Sequence, residues 1–163
     1  MKDTPVLTAS EFTIDLLKGI GSAKIQKHRK YPKDRHTQKP IHYADIVTAF
    51  DIETSIYEDP EVGRHGFMYI WQWQIGHIAT VYGRTWDEFL DLVNRLNAWL
   101  ESNNWRMLVY VHNLAFEFQY LSGIWDFAEE DVFATDLKRP LYCKMGNLEL
   151  RCSYRLAGEG LDG

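Results

Sequence analysis

The chain has 163 residues, the length of one domain, and its 45% hydrophobic and 14% aromatic content excludes an intrinsically disordered protein. Its formal net charge of −5 conceals an asymmetry, because residues 21–40 hold seven Lys/Arg and one acid whereas residues 41–163 hold nine Lys/Arg and nineteen Asp/Glu. No apolar run reaches the ~18–20 residues of a membrane helix and the first residues lack the apolar core of a secretory signal, so we expect a cytoplasmic protein with no membrane contact.

The N-terminal part of the chain predicts a short helix followed by a linker. Residues 9–20 place apolar residues at helical spacing, with Ser10 as a candidate cap. The basic segment 21–40 contains two prolines and reads as a linker. Its cations can bind nucleic-acid phosphates, but a solvated linker is an equally good interpretation. We therefore predict a helix and basic linker over residues 1–44, a domain over 45–157 and a tail over 158–163.

The next elements are three strands and a helix. Alternating or aromatic-rich apolar runs predict strands over residues 46–54, 67–75 and 77–83. Thr85 and Glu88 then form the pattern of a capping box, in which a hydroxyl and a carboxylate three residues apart satisfy free backbone donors. Apolar residues recur at helical spacing from there to about residue 103, which predicts a long helix.

The second half of the chain continues the alternation of strands and helices. A buried strand is predicted over residues 107–112 and a helix over 114–121, and further strands over 132–135, 141–145 and 148–153, the last two forming a hairpin. This order predicts an α/β fold with a mixed sheet. Cys143 and Cys152 are too few for a disulfide framework, and we predict that both are reduced thiols in the core.

The first candidate site is the pair Asp51 and Glu53. Their spacing of two puts both carboxylates on one face of an otherwise apolar strand. Carboxylates in such a place need cations, and hard divalent metals such as Mg²⁺ or Mn²⁺ prefer oxygen ligands. The alternative is a strand end at which both acids point into water.

The second candidate site follows the buried strand, over residues 112–117. Asn113 stands where the helix begins, so its side chain either caps the helix or holds a substrate. Phe116 is either a core residue or a platform on which a nucleic-acid base stacks. Glu117 adds a carboxylate in the first turn of the helix.

Together these motifs resemble the exonuclease domain of family B DNA polymerases, and most closely the bacteriophage protein-primed branch. Asp51 and Glu53 match the Asp-x-Glu of the first family motif, at the end of the first strand. Residues 112–117 match the second motif, often written His-Asn-Leu-x-Phe-Asp. The resemblance covers residues 45–157. It implies an RNase H-like fold of the exonuclease type, with a mixed sheet and flanking helices.

The resemblance also implies an activity, a partner and site residues. In the family, two Mg²⁺ or Mn²⁺ ions serve the hydrolysis of the 3′ end of single-stranded DNA during proofreading. Carried over, Asp51 would bridge the ions, Glu53 would hold the water-activating ion and Glu117 would serve the second. The residues that would bind the single-stranded 3′ end are Thr54, Asn113, Phe116 and, by a weaker match, Ser153. For a phage protein, the compartment would be the host cytoplasm.

Two features depart from the family pattern. Glu117 stands where Asp is usual, so its carboxylate reaches further by one methylene. The third motif, Tyr-x-x-x-Asp, supplies a fourth carboxylate and a water-orienting Tyr, and it does not occur downstream of Glu117. The polymerase domain is also absent from the sequence. We therefore expect this chain to be a weak or inactive exonuclease.

Two other functions compete with the exonuclease. The first is a non-catalytic binding module that grips nucleic acid or a partner protein, such as a phage-encoded inhibitor of a host defence nuclease. The basic segment and the missing third motif favour it, and Trp71 and Trp73 would contribute to it if they were exposed. The second is a ribonuclease of the same superfamily, although the Asn-x-x-Phe string before Glu117 favours the polymerase branch.

Overall fold

The structure is a computed structural model that describes residues 3–23, 34, 36–37, 39–134 and 139–153. In this part the chain forms an α/β protein with a mixed sheet and two α-helices, which confirms the predicted fold class at that level. The helices are α1 (Trp86–Asn103) and α2 (Leu114–Leu121), and 3-10 turns occupy Ile14–Leu17 and Glu129–Asp131. The strands are β1 (Val6–Thr8), β2 (Ser22–Ala23), β3 (His42–Ala44), β4 (Thr48–Asp59), β5 (Gly63–Ile75), β6 (Ala79–Gly83), β7 (Trp105–Val111), β8 (Val132–Ala134), β9 (Pro140–Met145) and β10 (Leu148–Cys152).

The sheet runs in the order β1-β6-β5-β4-β7-β10-β9-β8. β4, β5 and β6 form an antiparallel meander, while β7 pairs parallel with both β4 and β10. β3 pairs parallel with the start of β7 and antiparallel with β2. A parallel connection needs a crossover, and α1 and α2 supply the crossovers into β7 and β10.

The core lies on the face of the sheet that α1 covers. β4 alternates strictly between buried and exposed residues from Thr48 to Glu53, which is the pattern of a strand with one buried face. Its buried Phe50 meets Phe89 of α1 at a ring-centroid distance of 5.0 Å, and Phe89 also contacts the rings of Trp71 and Trp73 from β5. The buried side chains of α2 join the same hydrophobic core.

The start of α1 follows the predicted capping box in part. The Thr85 hydroxyl accepts a hydrogen bond from the Glu88 backbone N–H at 3.2 Å. The Glu88 carboxylate then accepts from that same hydroxyl at 2.9 Å, so the two side chains bond to each other. None of the described helices is long and apolar enough to cross a membrane.

The predicted helix over residues 9–20 is wrong. Thr8 and Glu11 exchange backbone-to-side-chain hydrogen bonds and close a single turn, after which Thr13 is extended. Arg95 of α1 donates to the carbonyls of Ala9 and Phe12 at 2.7 and 2.6 Å. These carbonyls accept hydrogen bonds from α1 and not from a following helical turn. The segment therefore packs against α1 and does not form a helix of its own.

Three short strands, β1 to β3, were not predicted, because two or three residues carry too weak a periodic signal. From β4 onward each predicted strand and helix is present, and the hairpin between β9 and β10 turns at Gly146, whose φ is +65°. Cys143 and Cys152 are both buried and free, as predicted. Most of the basic segment, residues 24–33, 35 and 38, lies outside the described residues.

Candidate active site

The candidate site lies where β7 ends. Val111, the last residue of β7, pairs with the residue before Asp51 on one side and with the residue before Ser153 on the other. Because β4, β7 and β10 run parallel here, Asp51 and Ser153 flank the point at which the chain turns into α2. The carboxyl ends of parallel strands are where α/β proteins place their ligand sites.

Glu117 is the buried carboxylate of this site. It lies in the first turn of α2 and is 3% exposed. Burial, together with the neighbouring Asp51 carboxylate, raises the pKa of Glu117 to about 7. Its Oε2 atom is buried without a hydrogen-bond partner among the described residues. The fold thus brings together one acid from each of the two motifs.

Glu53 lies two residues after Asp51, and both side chains are exposed on the face of β4 opposite to Phe50. A register shift in the pairing of β4 with β5 falls between Glu53 and Thr54. Such bulges often adjoin active sites, because they re-aim side chains. Within the described part of the chain, no group of three or more His, Cys, Asp or Glu side chains is placed to hold a metal ion. The structure does not gather Glu53 with Asp51 and Glu117 into one ligand set, so the two-metal site stays a prediction.

Asn113 and Phe116 flank Glu117 in sequence. Asn113 holds the N-cap position of α2, yet its side chain is exposed and makes no capping hydrogen bond. Its backbone carbonyl accepts from the N–H of Phe116 at 2.9 Å. The Phe116 ring is half-buried and packs against Tyr120, with ring centroids 5.6 Å apart. The capping alternative for the Asn113 amide is therefore wrong, whereas its substrate role stays a prediction.

The two remaining predicted contacts lie at the rim of this region. The Ser153 hydroxyl donates to the Val111 carbonyl at 3.5 Å, which places Ser153 at the end of β7. Thr54 is half-buried and pairs with Met68 directly after the register shift. The roles of Thr54 and Ser153 in binding DNA stay predictions.

No protein-family model, curated protein or solved structure matches the chain.

The carboxylates of Asp51 and Glu117 suit one hard divalent cation. Asp51 and Glu117 supply carboxylate oxygens from two different elements, and oxygen is the ligand that Mg²⁺ and Mn²⁺ prefer. The unpartnered Oε2 of Glu117 is an atom that a cation or a proton would satisfy. These residues would hold one such ion, and a second ion would need Glu53 to turn toward the pair.

The tryptophans considered for a binding surface are core residues. Trp71 and Trp73 are 0% and 1% exposed. The indole N–H of Trp71 donates to the Thr85 carbonyl at 3.0 Å, next to the start of α1. A contact between either ring and a partner is therefore excluded in this fold.

Sequence reasoning missed a second polar cluster, centred on the buried Glu149 of β10. Its carboxylate accepts from the Tyr43 hydroxyl at 2.9 and 3.0 Å and pairs with Arg106 and Arg151, each at 2.9 Å. Arg106 also pairs with Asp34 at 2.7 Å. Burial and the Glu149 charge raise the pKa of Tyr43, so its hydroxyl stays a donor. Arg151 is two residues from Glu149 on β10, but Arg106, Tyr43 and Asp34 are far from it in sequence, so no local pattern indicates the whole cluster.

Proposed function

We propose that the chain is a 3′→5′ exonuclease domain related to the proofreading domain of a phage DNA polymerase, acting on single-stranded DNA. The observation that supports the proposal most is the meeting of Asp51 and Glu117. The two motifs were matched separately along the sequence, and their acids come together only because β4, β7 and α2 fold as they do. An acid with a raised pKa beside a second acid is typical of functional sites.

The strand arrangement also supports the RNase H-like fold that the resemblance implies. The five central strands β6-β5-β4-β7-β10 form a mixed sheet, with α1 and α2 following β6 and β7. The first motif lies on β4, in the middle of these five, and the second begins at the end of its parallel neighbour β7. This is the juxtaposition that a site shared by both motifs requires.

The chemistry proposed for the site begins with the protonation state of the buried acid. At neutral pH without a cation, Glu117 is partly protonated, because its pKa is about 7. A bound divalent cation would neutralise both carboxylates and supply an activated water for attack on the terminal phosphodiester. Asn113, one turn before Glu117, presents an exposed amide that can hydrogen-bond the 3′ nucleotide.

The experiment is a nuclease assay with the full chain, a 5′-labelled single-stranded oligonucleotide and Mn²⁺. We expect slow shortening from the 3′ end that is lost in Asp51→Asn and in Glu117→Gln. Glu101→Gln, which alters an exposed acid of α1, is the matched control and should cleave like the unaltered chain. General-base and positioning effects are each worth about 10²–10⁴ in rate, so absence of a third motif predicts rates well below those of a complete proofreading domain.

Three outcomes would contradict the proposal. Cleavage that survives both active-site variants would come from a contaminant or from another site. No cleavage together with no Mn²⁺-induced rise in melting temperature would favour the alternative, a non-catalytic binding module such as an inhibitor of a host defence nuclease. Cleavage of RNA but not DNA of the same sequence would instead favour the ribonuclease.

A further inference from the structure

The hairpin of β4 and β5 extends well past the rest of the sheet. β7 pairs with β4 only as far as Phe50, and β6 pairs with β5 only from Trp71 onward. The remaining part of the hairpin, residues 54–69, is therefore a two-stranded projection that we call the arm. Two-stranded ribbons are marginally stable alone in water, so a long one needs support.

Helix α2 supports the arm from one side. A Cβ built on Gly66 would lie 2.6 Å from the Tyr120 hydroxyl, so the tyrosine rests directly on the Gly66 backbone. Gly66 pairs with Ile56, which alternation puts on the same face of β4 as Phe50 and Ile52. We call the face of the arm that carries Ile56, and that Tyr120 approaches at Gly66, the bracing face. It continues the face of β4 that packs on the core.

The other face of the arm continues the face of Asp51 and Glu53. Ser55 and Tyr57 follow these acids at intervals of two, and their cross-strand partners are Phe67 and His65. Tyr57 is 55% exposed and Phe67 is 45% exposed, and Tyr69, at the bulge, is 43% exposed. Same-face residues recur about every 7 Å along a strand, so an aromatic strip begins within about 15 Å of the carboxylates.

Three of the charged side chains of the arm are engaged within the arm. Glu58 lies 3.6 Å from Arg64, and Asp59 accepts hydrogen bonds from the backbone N–H groups of Glu61 and Val62 in the turn. The strip offers phosphates little attraction but offers bases flat apolar surfaces. Base–aromatic stacking tolerates any sequence, because every base has a π-face.

We infer that this aromatic strip, Tyr57, Phe67 and Tyr69, is a stacking platform that guides single-stranded DNA toward the Asp51–Glu117 pair. The inference rests on the proposed function, because the proposed cleavage at the carboxylate pair requires the 3′ end of the DNA strand to lie there. The occupant is a single strand, since stacking on the strip needs bases that are not paired. The arm thus contributes affinity, whereas the acids contribute cleavage.

The test measures binding and cleavage separately in the full chain. Binding of a fluorescent single-stranded oligonucleotide is followed by anisotropy in EDTA, where cleavage cannot occur. The double variant Tyr57→Ala/Phe67→Ala should bind at least about 5-fold more weakly, since loss of a single base stacked on an aromatic ring weakens binding by about 5–150-fold. Ile56→Ala, which alters a 58% exposed apolar residue on the bracing face, is the matched control. It should bind like the unaltered chain.

Three further readouts separate stacking from a merely structural effect. Tyr57→Trp/Phe67→Trp should bind at least as tightly as the unaltered chain, because larger rings stack better. The loss in the alanine variant should be equal at 50 and 200 mM salt, because no phosphate contact is removed. An oligonucleotide with abasic sites near its 3′ end should weaken binding to the unaltered chain but weaken binding to the alanine variant no further.

The outcomes distinguish this inference from the proposed function. Equal DNA binding by the alanine variant, with cleavage that still depends on Asp51 and Glu117, would overturn the stacking platform alone. No binding of any oligonucleotide by the unaltered chain would overturn the platform and the exonuclease together. A salt-dependent loss in the alanine variant would assign the arm to phosphate contact and would also refute stacking.

Discussion

Replacing Glu117 with Gln is the sharpest test of the buried carboxylate beside Asp51. The change keeps the size of the side chain and removes its charge. The pKa of Glu117 is about 7 in the folded chain against an ordinary value of 4.5. Between these values the folded state binds more protons than the unfolded state, so this group makes stability fall as pH rises through that window. Above pH 7 the folded chain carries the full cost of the buried charge.

The magnitude follows from the two pKa values. At about 1.4 kcal/mol per pH unit, a rise from 4.5 to about 7 corresponds to about 3 kcal/mol. We expect Glu117→Gln and the unaltered chain to be similarly stable below pH 4.5, and the variant to be more stable by up to about 3 kcal/mol at pH 8.5. A difference of 1 kcal/mol shifts the melting temperature of a domain this size by about 2–4 °C.

The assay is urea unfolding in EDTA at pH 4.5, 6 and 8.5, for the unaltered chain, Glu117→Gln and the control Glu101→Gln. Replacing EDTA with Mn²⁺ at pH 8.5 should then stabilise the unaltered chain more than Glu117→Gln, because a cation bound to the folded state adds its binding free energy. Parallel pH profiles for the unaltered chain and Glu117→Gln would refute the claim that the carboxylate is buried beside Asp51.

Three further changes test the fold. Gly83→Ala should destabilise by about 1–3 kcal/mol in thermal unfolding, because the new Cβ would lie 2.5 Å from the buried Trp71 ring, and an unchanged melting temperature would show that the ring is not there. Glu149→Ala should cost about 3–5 kcal/mol, since it removes the buried carboxylate that Arg106, Arg151 and Tyr43 share and leaves Arg106 paired with Asp34 alone, and a cost below 1 kcal/mol in urea would contradict the cluster. Asn97→Ala should cost about 1–2 kcal/mol, because its amide bonds the turn between β9 and β10 at Met145 and Asn147, and faster amide exchange confined to that turn would support the assignment.

The sequence predicted the elements whose signal is local and long. β4 alternates over six residues and α1 carries its own cap, so both could be read without knowledge of their neighbours. The helix expected near Ser10 failed because Thr8 and Glu11, which have the spacing of a capping box, close one turn whose carbonyls are then bound by Arg95. Local spacing cannot distinguish a cap that starts a helix from one that closes a turn.

The residues of the candidate site likewise differ in how far the sequence alone could predict them. Asp51 and Glu117 could be paired beforehand only through the resemblance, since their contact depends on the parallel pairing of β4 with β7. The exposure of Tyr57 and Phe67 could not be predicted, because an aromatic-rich strand looks the same whether or not a neighbour covers it. β7 pairs with β4 only as far as Phe50 and β6 pairs with β5 only from Trp71, so neither strand reaches the part of the hairpin that carries these side chains.

The cluster around Glu149 bears on how the protein can be shortened. It joins β3, β7 and β10 and, through Arg106, reaches Asp34. A chain cut at residue 45 would lose Tyr43 and Asp34 and would keep Glu149 and both arginines with part of their partners gone. The N-terminal residues are thus part of the folded domain and cannot be trimmed without loss of these contacts. A shortened protein would need to begin before Asp34 to unfold as cooperatively as the whole chain.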